Sequence, residues 1–179
     1  MTVSLKEKIT IKVEVLKSIS DLDLADLCNI TEQAIKAGGG FGWLQSPPRE
    51  TLNKYWNGLV VVQNRIVIVG RLNNAIAGTL QLCLQPPNNE AQKNIINIAS
   101  HFVAPWARGY GLAKNMIDYS ELISKENNAF CIQLDIRETQ EAAIQLFKSK
   151  GYKQWGANPN YASVDGKTIQ GLYFYKNIK

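Results

Sequence analysis

Arg108-Gly109-Tyr110-Gly111, followed by Leu112 and Ala113, sets a cation and two glycines directly ahead of a helical run. The first amides of a helix have no intrahelical acceptor, and the helix dipole makes that end partly positive. Glycines let neighbouring amides point into one concavity and let a ligand's oxygens come close. This spacing suits the holding of a phosphate or diphosphate, with Arg108 as an added cation. The plainer reading is a strand-to-helix turn with a solvated arginine. Two common glycine signatures are absent. G-x-G-x-x-G would need a glycine where Lys114 stands, and G-x-x-x-x-G-K-[ST] occurs nowhere.

Upstream lie Asn97 and His101, four residues apart in a β-branched run. Strand alternation predicts that they share a face. Histidine titrates near neutrality and suits a general base. The plainer reading is a satisfied core or edge histidine, and a bulge in the strand would change the face count. Gly38-Gly39-Gly40-Phe41-Gly42-Trp43 is a glycine loop carrying two aromatics, which either wall a substrate site or fold back onto the core. Cys28, Cys83 and Cys131 are odd in number, have no metal spacing and sit in apolar patterns. They read as buried small hydrophobes, and no metal is expected.

The elements that must position these groups follow from periodicity. Lys8–Leu16 alternates and reads as a strand. Ser20 with Asp23 resembles a capping box, and a helix with apolar Leu24, Leu27, Cys28 and Ile35 stops near Gly38. Ser46-Pro47-Pro48 opens a second helix. Arg65–Arg71 and Ala75–Leu84, joined at Asn73-Asn74, form a hairpin. Asn94–Val103 is the central strand, ended by Pro105. A third helix runs from Leu112 to about Asn127, and Phe130–Arg137 is a strand. Thr139 is expected to cap a fourth helix that ends at Gly151. Tyr152–Trp155 reads as a short strand, Asn158-Pro159-Asn160 and Asp165-Gly166 as turns, and Lys167–Ile178 as the last strand. The order β-α-α-β-β-β-α-β-α-β-β predicts helices packed on a mostly antiparallel sheet.

The chain has 179 residues, which suits one domain spanning 1–179, and no run of repeats or low complexity divides it. No apolar stretch approaches the roughly 18 residues that a membrane helix needs. The charged, alternating start is unlike a signal peptide, so a cytoplasmic protein with no membrane partner is expected. A net charge of +5 mildly favours anionic ligands. The lysines are dispersed and no recognition motif is present, so nucleic acid is not an expected partner.

R-G-x-G-x-A at Arg108, Gly109, Gly111 and Ala113, preceded by Val103-x-Pro105, resembles the coenzyme-A-binding motif of the GNAT N-acetyltransferases. Their N-x-x-A-x-x-[LF]-Y-x-x-x-G-F motif has its counterparts here in Gln140, Ala143, Leu146, Phe147, Gly151 and Tyr152. The element order is similar to theirs over nearly the whole chain. The resemblance implies an α/β (α+β) GNAT fold, with a mixed, mostly antiparallel seven-stranded sheet flanked by about four helices. Gly38–Trp43, and Tyr161-Ala162 and Asp165-Gly166 ahead of Leu172–Lys176, look like the tabtoxin-resistance-type acetyltransferases.

The resemblance further implies acetyl-CoA as cosubstrate, with its pantetheine along the strand edge near His101–Val103. The amides of Phe102 and Val103 would face the oxyanion. Arg108, Gly109, Tyr110, Gly111, Leu112 and Ala113 would hold the pyrophosphate, with Gln140 and Phe147 also at the coenzyme. A primary amine of a small molecule would attack the thioester directly, and Phe41, Trp43 and Tyr161 would line its site. The sequence departs from the family twice. Asn97 stands where many members have an acid, and Phe147 where many have a proton-donating tyrosine. His101 is one candidate to replace the base. Tyr152, Tyr161 and Tyr173 are candidates for the acid, or the thiolate leaves unassisted. A protein that holds coenzyme A without efficient chemistry is the other class these residues allow. A homodimer is compatible with the family.

Overall fold

The structure, a computed structural model, describes residues 9–39 and 41–178. One seven-stranded sheet has the order β1-β2-β3-β4-β5-β7-β6. Its strands are β1 Ile11–Val15, β2 Arg65–Leu72, β3 Ala75–Cys83, β4 Ile95–Val103, β5 Cys131–Arg137, β6 Lys153–Val164 and β7 Lys167–Asn177. The helices are α1 Asp21–Lys36, α2 Arg49–Leu59, α3 Leu112–Glu126 and α4 Glu141–Ser149. Only β4 and β5 pair in parallel; the other neighbours are antiparallel. This is the mixed, mostly antiparallel sheet that the sequence implies.

Local chemistry sets most of the joints. Asn73 and Asn74 (φ 47° and 73°) close the β2–β3 hairpin, and Asp165 and Gly166 (49° and 74°) close β6–β7. Positive φ at both central residues gives a turn whose twist matches the strands. The Ser20 hydroxyl accepts from the Asp23 amide at 3.1 Å and caps α1. The first strand, expected from Lys8, starts at Ile11; Lys8 lies outside the described residues.

Two local expectations are corrected. Thr139 does not cap α4: the N-cap residue is Gln140, whose side chain makes no capping bond and donates instead to the Gly38 carbonyl. Tyr152–Trp155 is not a short strand before a turn. β6 is 12 residues long and contains Asn158-Pro159-Asn160. It is an edge strand, bonded only to β7, and its register shifts between Asn158 and Ala162. A proline at an edge bulge removes no obligatory ladder bond.

The helices cover both faces. α1 and α2 lie on one, where buried Trp56 donates to Thr31 Oγ1 at 3.1 Å. α3 and α4 lie on the other. α3 is seated by two glycines that face each other across strands, Gly70 on β2 and Gly78 on β3. A Cβ at Gly70 would stand 2.7 Å from Leu112 Cδ1, and one at Gly78 2.9 Å from Met116 Cε. The bare backbone lets α3 settle close, which fixes where its N-terminus emerges.

The sheet parts between β4 and β5. Ile95, Ile96 and Asn97 pair with Cys131, Ile132 and Gln133, and beyond Asn97 the two strands share no pairs. Just past that point β4 bulges. Its register against β3 moves from Gln81↔Ala99 to Thr79↔Phe102, and Ser100 has a φ of 48°. One extra residue reverses the side-chain alternation. Asn97 and Ala99 therefore share the α1/α2 face with Phe102, while His101 and Val103 share the α3/α4 face with Ile98. The expectation that Asn97 and His101 face the same way is corrected by this bulge.

Candidate active site

The split opens a cleft of about 440 Å³ that runs from one face of the sheet to the other. Phe41, Asp135, Arg137 and Tyr161 border it on the α1/α2 side, and His101, Ala143 and Phe147 on the α3/α4 side.

On the α3/α4 side, Ala104 N–H donates to Ala77 O of β3 at 2.8 Å. Backbone groups alternate in direction along a strand, so those of Val103 and His101 point into the split. They form an open edge on which an extended ligand can pair. The edge leads to the N-terminus of α3. Gly111, the N-cap residue, has a φ of 77° and no side-chain capping bond; Gly109 has a φ of 86°. A Cβ at either glycine would meet nothing within 4 Å, so the concavity is unfilled. α1, α2 and α4 carry acidic residues in their first turns, whereas α3 has none. Uncapped amides, an unopposed dipole and exposed Arg108 suit an anion. The open edge and this terminus together fit a coenzyme with a linear arm and a diphosphate.

The other residues expected at the coenzyme take various positions. Phe102 turns its ring into the core, 5.1 Å from Phe41, and its backbone, two residues from Ala104, turns toward Thr79 of β3, so the expectation that its amide faces the oxyanion is corrected and Val103 alone of the two offers one. Leu112 is buried on Gly70, so its amide and not its side chain is offered. Val103 packs beside Gly78. Tyr110 is exposed and lies with Trp106 at a separate shallow hollow. Ala113 is half-buried in the first turn of α3. Gln140 borders the cleft, and Phe147 is buried there.

His101 stands edge-on to Phe147, with ring centroids 5.4 Å apart. Both ring nitrogens are buried, and the Ala113 backbone in the first turn of α3 lies beside the ring. Burial pushes its pKa down to about 4, against a weak upward pull from the Ala113 backbone. The imidazole is therefore neutral at pH 7.

On the α1/α2 side, the loop after α1 folds back. Phe41 is 8% exposed, stacks on Trp43 at 5.6 Å and packs against Tyr55, Trp56 and Phe102. Trp43 is half-buried against Tyr55 and does not border the cleft, so the two aromatics form core packing with only Phe41 reaching the opening. Two long side chains from across the split hold this loop. Arg137 Nη2 donates to Phe41 O at 2.9 Å, and Gln140 Nε2 to Gly38 O at 2.9 Å.

Tyr161 does border the cleft, and its hydroxyl donates to Asp135 Oδ2. Its ring lies flat on β7 because residue 171 is glycine: a Cβ there would stand 2.3 Å from the ring. Burial, then the bond to Asp135, raises the phenol well above its usual range, so it stays protonated. Asp135 is the group the sequence reading missed. Gln133, Asp135 and Arg137 are the polar alternates of β5, and pairing of Asn97 with Gln133 puts all three on the Asn97 face. The alternation in Cys131-Ile132-Gln133-Leu134-Asp135-Ile136-Arg137 was the available signal. Among the described residues, no cluster of three or more His, Cys, Asp or Glu is arranged to hold a metal, and no helix is long and apolar enough to cross a membrane.

Residues 26–152 match the model of the acetyltransferase (GNAT) family. An uncharacterised N-acetyltransferase in the hisH-hisA intergenic region of Azospirillum brasilense is 44% identical over 130 residues, covering 73% of this chain and 77% of the relative. Among solved structures, an N-acetyltransferase from Staphylococcus aureus Mu50 superposes with a TM-score of 0.80 at 16% identity, over 95% of this chain and 99% of that one. The structure of yncA from Salmonella typhimurium with its cofactor acetyl-CoA superposes at 0.76 and 13% identity, over 96% and 94%.

Proposed function

The chain belongs to the acetyltransferase (GNAT) family, and from that premise we propose that it transfers the acetyl group of acetyl-CoA to a primary amine of a small molecule, by direct attack in a ternary complex. The observation that carries this reading is the cleft through the sheet, with an anion-binding helix terminus and open strand edge on one side and a carboxylate on the other.

Acetyl-CoA, when bound, supplies the activated acyl carbon. The amides of Arg108 to Ala113 and the Arg108 guanidinium take its diphosphate, with Tyr110 at the rim. The backbone of His101 and Val103 pairs with its arm, and Gln140 and Phe147 flank it. The amine enters past Phe41 and Tyr161. Holding both reactants in one cleft contributes up to ~7–11 kcal/mol of barrier reduction. Asp135 takes the place that Asn97 leaves empty of an acid: a carboxylate on the amine's side, fixed by Tyr161, that accepts the proton nitrogen loses. The loop Gly38–Trp43 and the Tyr161 segment, which look like the tabtoxin-resistance type, are the acceptor-defining parts in this reading.

A coenzyme-binding protein without efficient chemistry is the second reading, favoured by Asn97 and Phe147; Asp135 in the cleft weighs against it. A thermal shift with acetyl-CoA, then thiol release across a panel of primary amines, tests both. Acetyl-CoA at 100 times its dissociation constant is expected to add ~2.7 kcal/mol of stability. A shift without thiol release on any amine selects the second reading, and no shift at millimolar acetyl-CoA overturns both.

A further inference from the structure

We propose that the acceptor is an amine carrying a flat aromatic ring on a short linker, and that Tyr173 and Trp155 form the shelf on which that ring lies. The inference rests on the reading of the cleft given above, with the amine at Asp135.

Strand register sets the shelf. Asp135 of β5 pairs with Tyr173 of β7, and Tyr173 pairs with Gly156 of β6. Paired residues share a face, so Tyr173 lies beside Asp135 on the α1/α2 face. The register of β6 shifts between Gln154 and Gly156, which makes Trp155 the extra residue of a bulge. A bulge re-aims a side chain. Here it brings the indole against Tyr173, with ring centroids 5.6 Å apart. Tyr161, bonded to Asp135, also stands edge-on to Tyr173, at 6.3 Å. A continuous line of aromatic groups therefore leads from the carboxylate in the cleft to the outer strand. The α1/α2 layer lies over the other half of the sheet, where α1 packs on β3 and β4. Trp155 is 63% exposed and Tyr173 is half-buried. A lone exposed apolar side chain is ordinary, whereas aromatic groups continuous with a cleft make a surface for a ligand.

Charge and the strand edge select the occupant. β6 and β7 contain no Asp or Glu, and Lys153 stands two residues before Trp155. A second ammonium beyond Asp135 would find no carboxylate on these strands and would meet a lysine, which disfavours a diamine. A second copy of the chain is disfavoured by the edge itself. Lys153, Pro159 and two register shifts interrupt the row of backbone groups to which another strand would add. A neutral ring meets neither obstacle and gains by stacking on tyrosine and tryptophan. Neighbouring strands lie about 4.8 Å apart, so a linker of about two or three carbons spans the step from Asp135 to Tyr173.

Thiol release is compared for phenethylamine, cyclohexylethylamine, butylamine and putrescine. The kcat/KM for phenethylamine is expected to exceed that for butylamine about tenfold, with cyclohexylethylamine between them. Trp155→Ala should bring the ratio down to about threefold, and Trp155→Phe should keep most of it. Both variants should melt close to wild type, because the indole is exposed. In saturation-transfer NMR with coenzyme A as the unreactive partner, the ring protons of phenethylamine should receive more magnetisation than its methylene protons. That excess should vanish in Trp155→Ala. An equal or higher kcat/KM for butylamine or putrescine overturns the proposal, as does a preference for phenethylamine that survives Trp155→Ala unchanged. Loss of a dimer on Trp155→Ala in sedimentation makes a second copy the occupant and overturns it too. All three outcomes leave the proposed function intact. Acetyl-CoA binding without thiol release on any amine overturns the proposed function as well.

Discussion

The side-chain amide of Gln140 donates to the backbone carbonyl of Gly38 at 2.9 Å, joining the first residue before α4 to the start of the loop that follows α1, across the split in the sheet. With Arg137 bound to Phe41 O, it makes the loop after α1 one wall of the cleft. Gln140→Ala is expected to raise the KM for the amine about fivefold. The melting temperature should stay close to wild type, and the acetyl-CoA dissociation constant, which Gln140 also touches in this reading, should rise less than the KM for the amine. Steady-state kinetics with calorimetry check this, and an unchanged KM would show that the loop holds its place without the bond.

Asp135 carries the acid–base assignment on the amine side. Asp135→Asn keeps shape and hydrogen bonding and removes basicity. It is expected to lower kcat by ~10²–10⁴-fold without weakening acetyl-CoA binding. Tyr161→Phe, which removes the donor to Asp135, should cost less, because the carboxylate remains. Equal losses in the two variants would point to a positioning role for the pair.

Seating of α3 depends on Gly70 and Gly78. Gly70→Ala drives a methyl group into Leu112 and is expected to cost ~1–3 kcal/mol of stability. It should also weaken acetyl-CoA binding, because the helix that presents the anion-binding amides is lifted. Gly70→Ala with Leu112→Ala relieves the clash and should recover part of the affinity. Denaturant melts and calorimetry on the single and double variants measure both effects.

His101 also links stability to pH. Its folded pKa of about 4 lies below the ordinary 6.5. Between these values the unfolded chain binds a proton that the folded protein refuses, so stability falls as pH drops from about 6.5 to about 4 and levels off below. The full effect is on the order of 3 kcal/mol. Glu14, held low by hydrogen bonds from Lys12 and Arg71, and Asp23, held low by Arg71, lose their contributions further into acid. Those losses persist in His101→Phe, in which the segment between pH 6.5 and 4 should flatten. Urea melts across that range test it.

What the sequence made legible was whatever local chemistry determines. Asn73-Asn74, Asp165-Gly166, the Ser20 cap and the glycine stops at Gly38 and Gly151 each encode a backbone conformation within a few residues, and each stands where expected. The glycine-bearing entry to α3 was legible for the same reason. The bulge at Ser100 was not, because it is set by the pairing of β4 with β3, and a serine in a strand run carries no mark of positive φ. That single residue decided which face His101 occupies. Asp135 was overlooked as an ordinary polar alternate of β5, since only the parallel register with β4 shows that it reaches the cleft. Pro159 misled in the opposite direction, its breaker character offset by an edge position that only the strand order reveals.

Among the described residues, three residue pairs, Ile95 to Asn97 against Cys131 to Gln133, with the bond from Phe130 N–H to the Asn94 carbonyl just before them, are the short ladder that ties one half of the sheet to the other. A load applied across the strands concentrates on this short seam and on the packing above and below it. A ligand threaded through the gap bonds to the exposed rim of one half and leans on the helix of the other, like a bolt through a hinge. Occupancy therefore stiffens the molecule along the direction in which its own hydrogen bonding is thinnest.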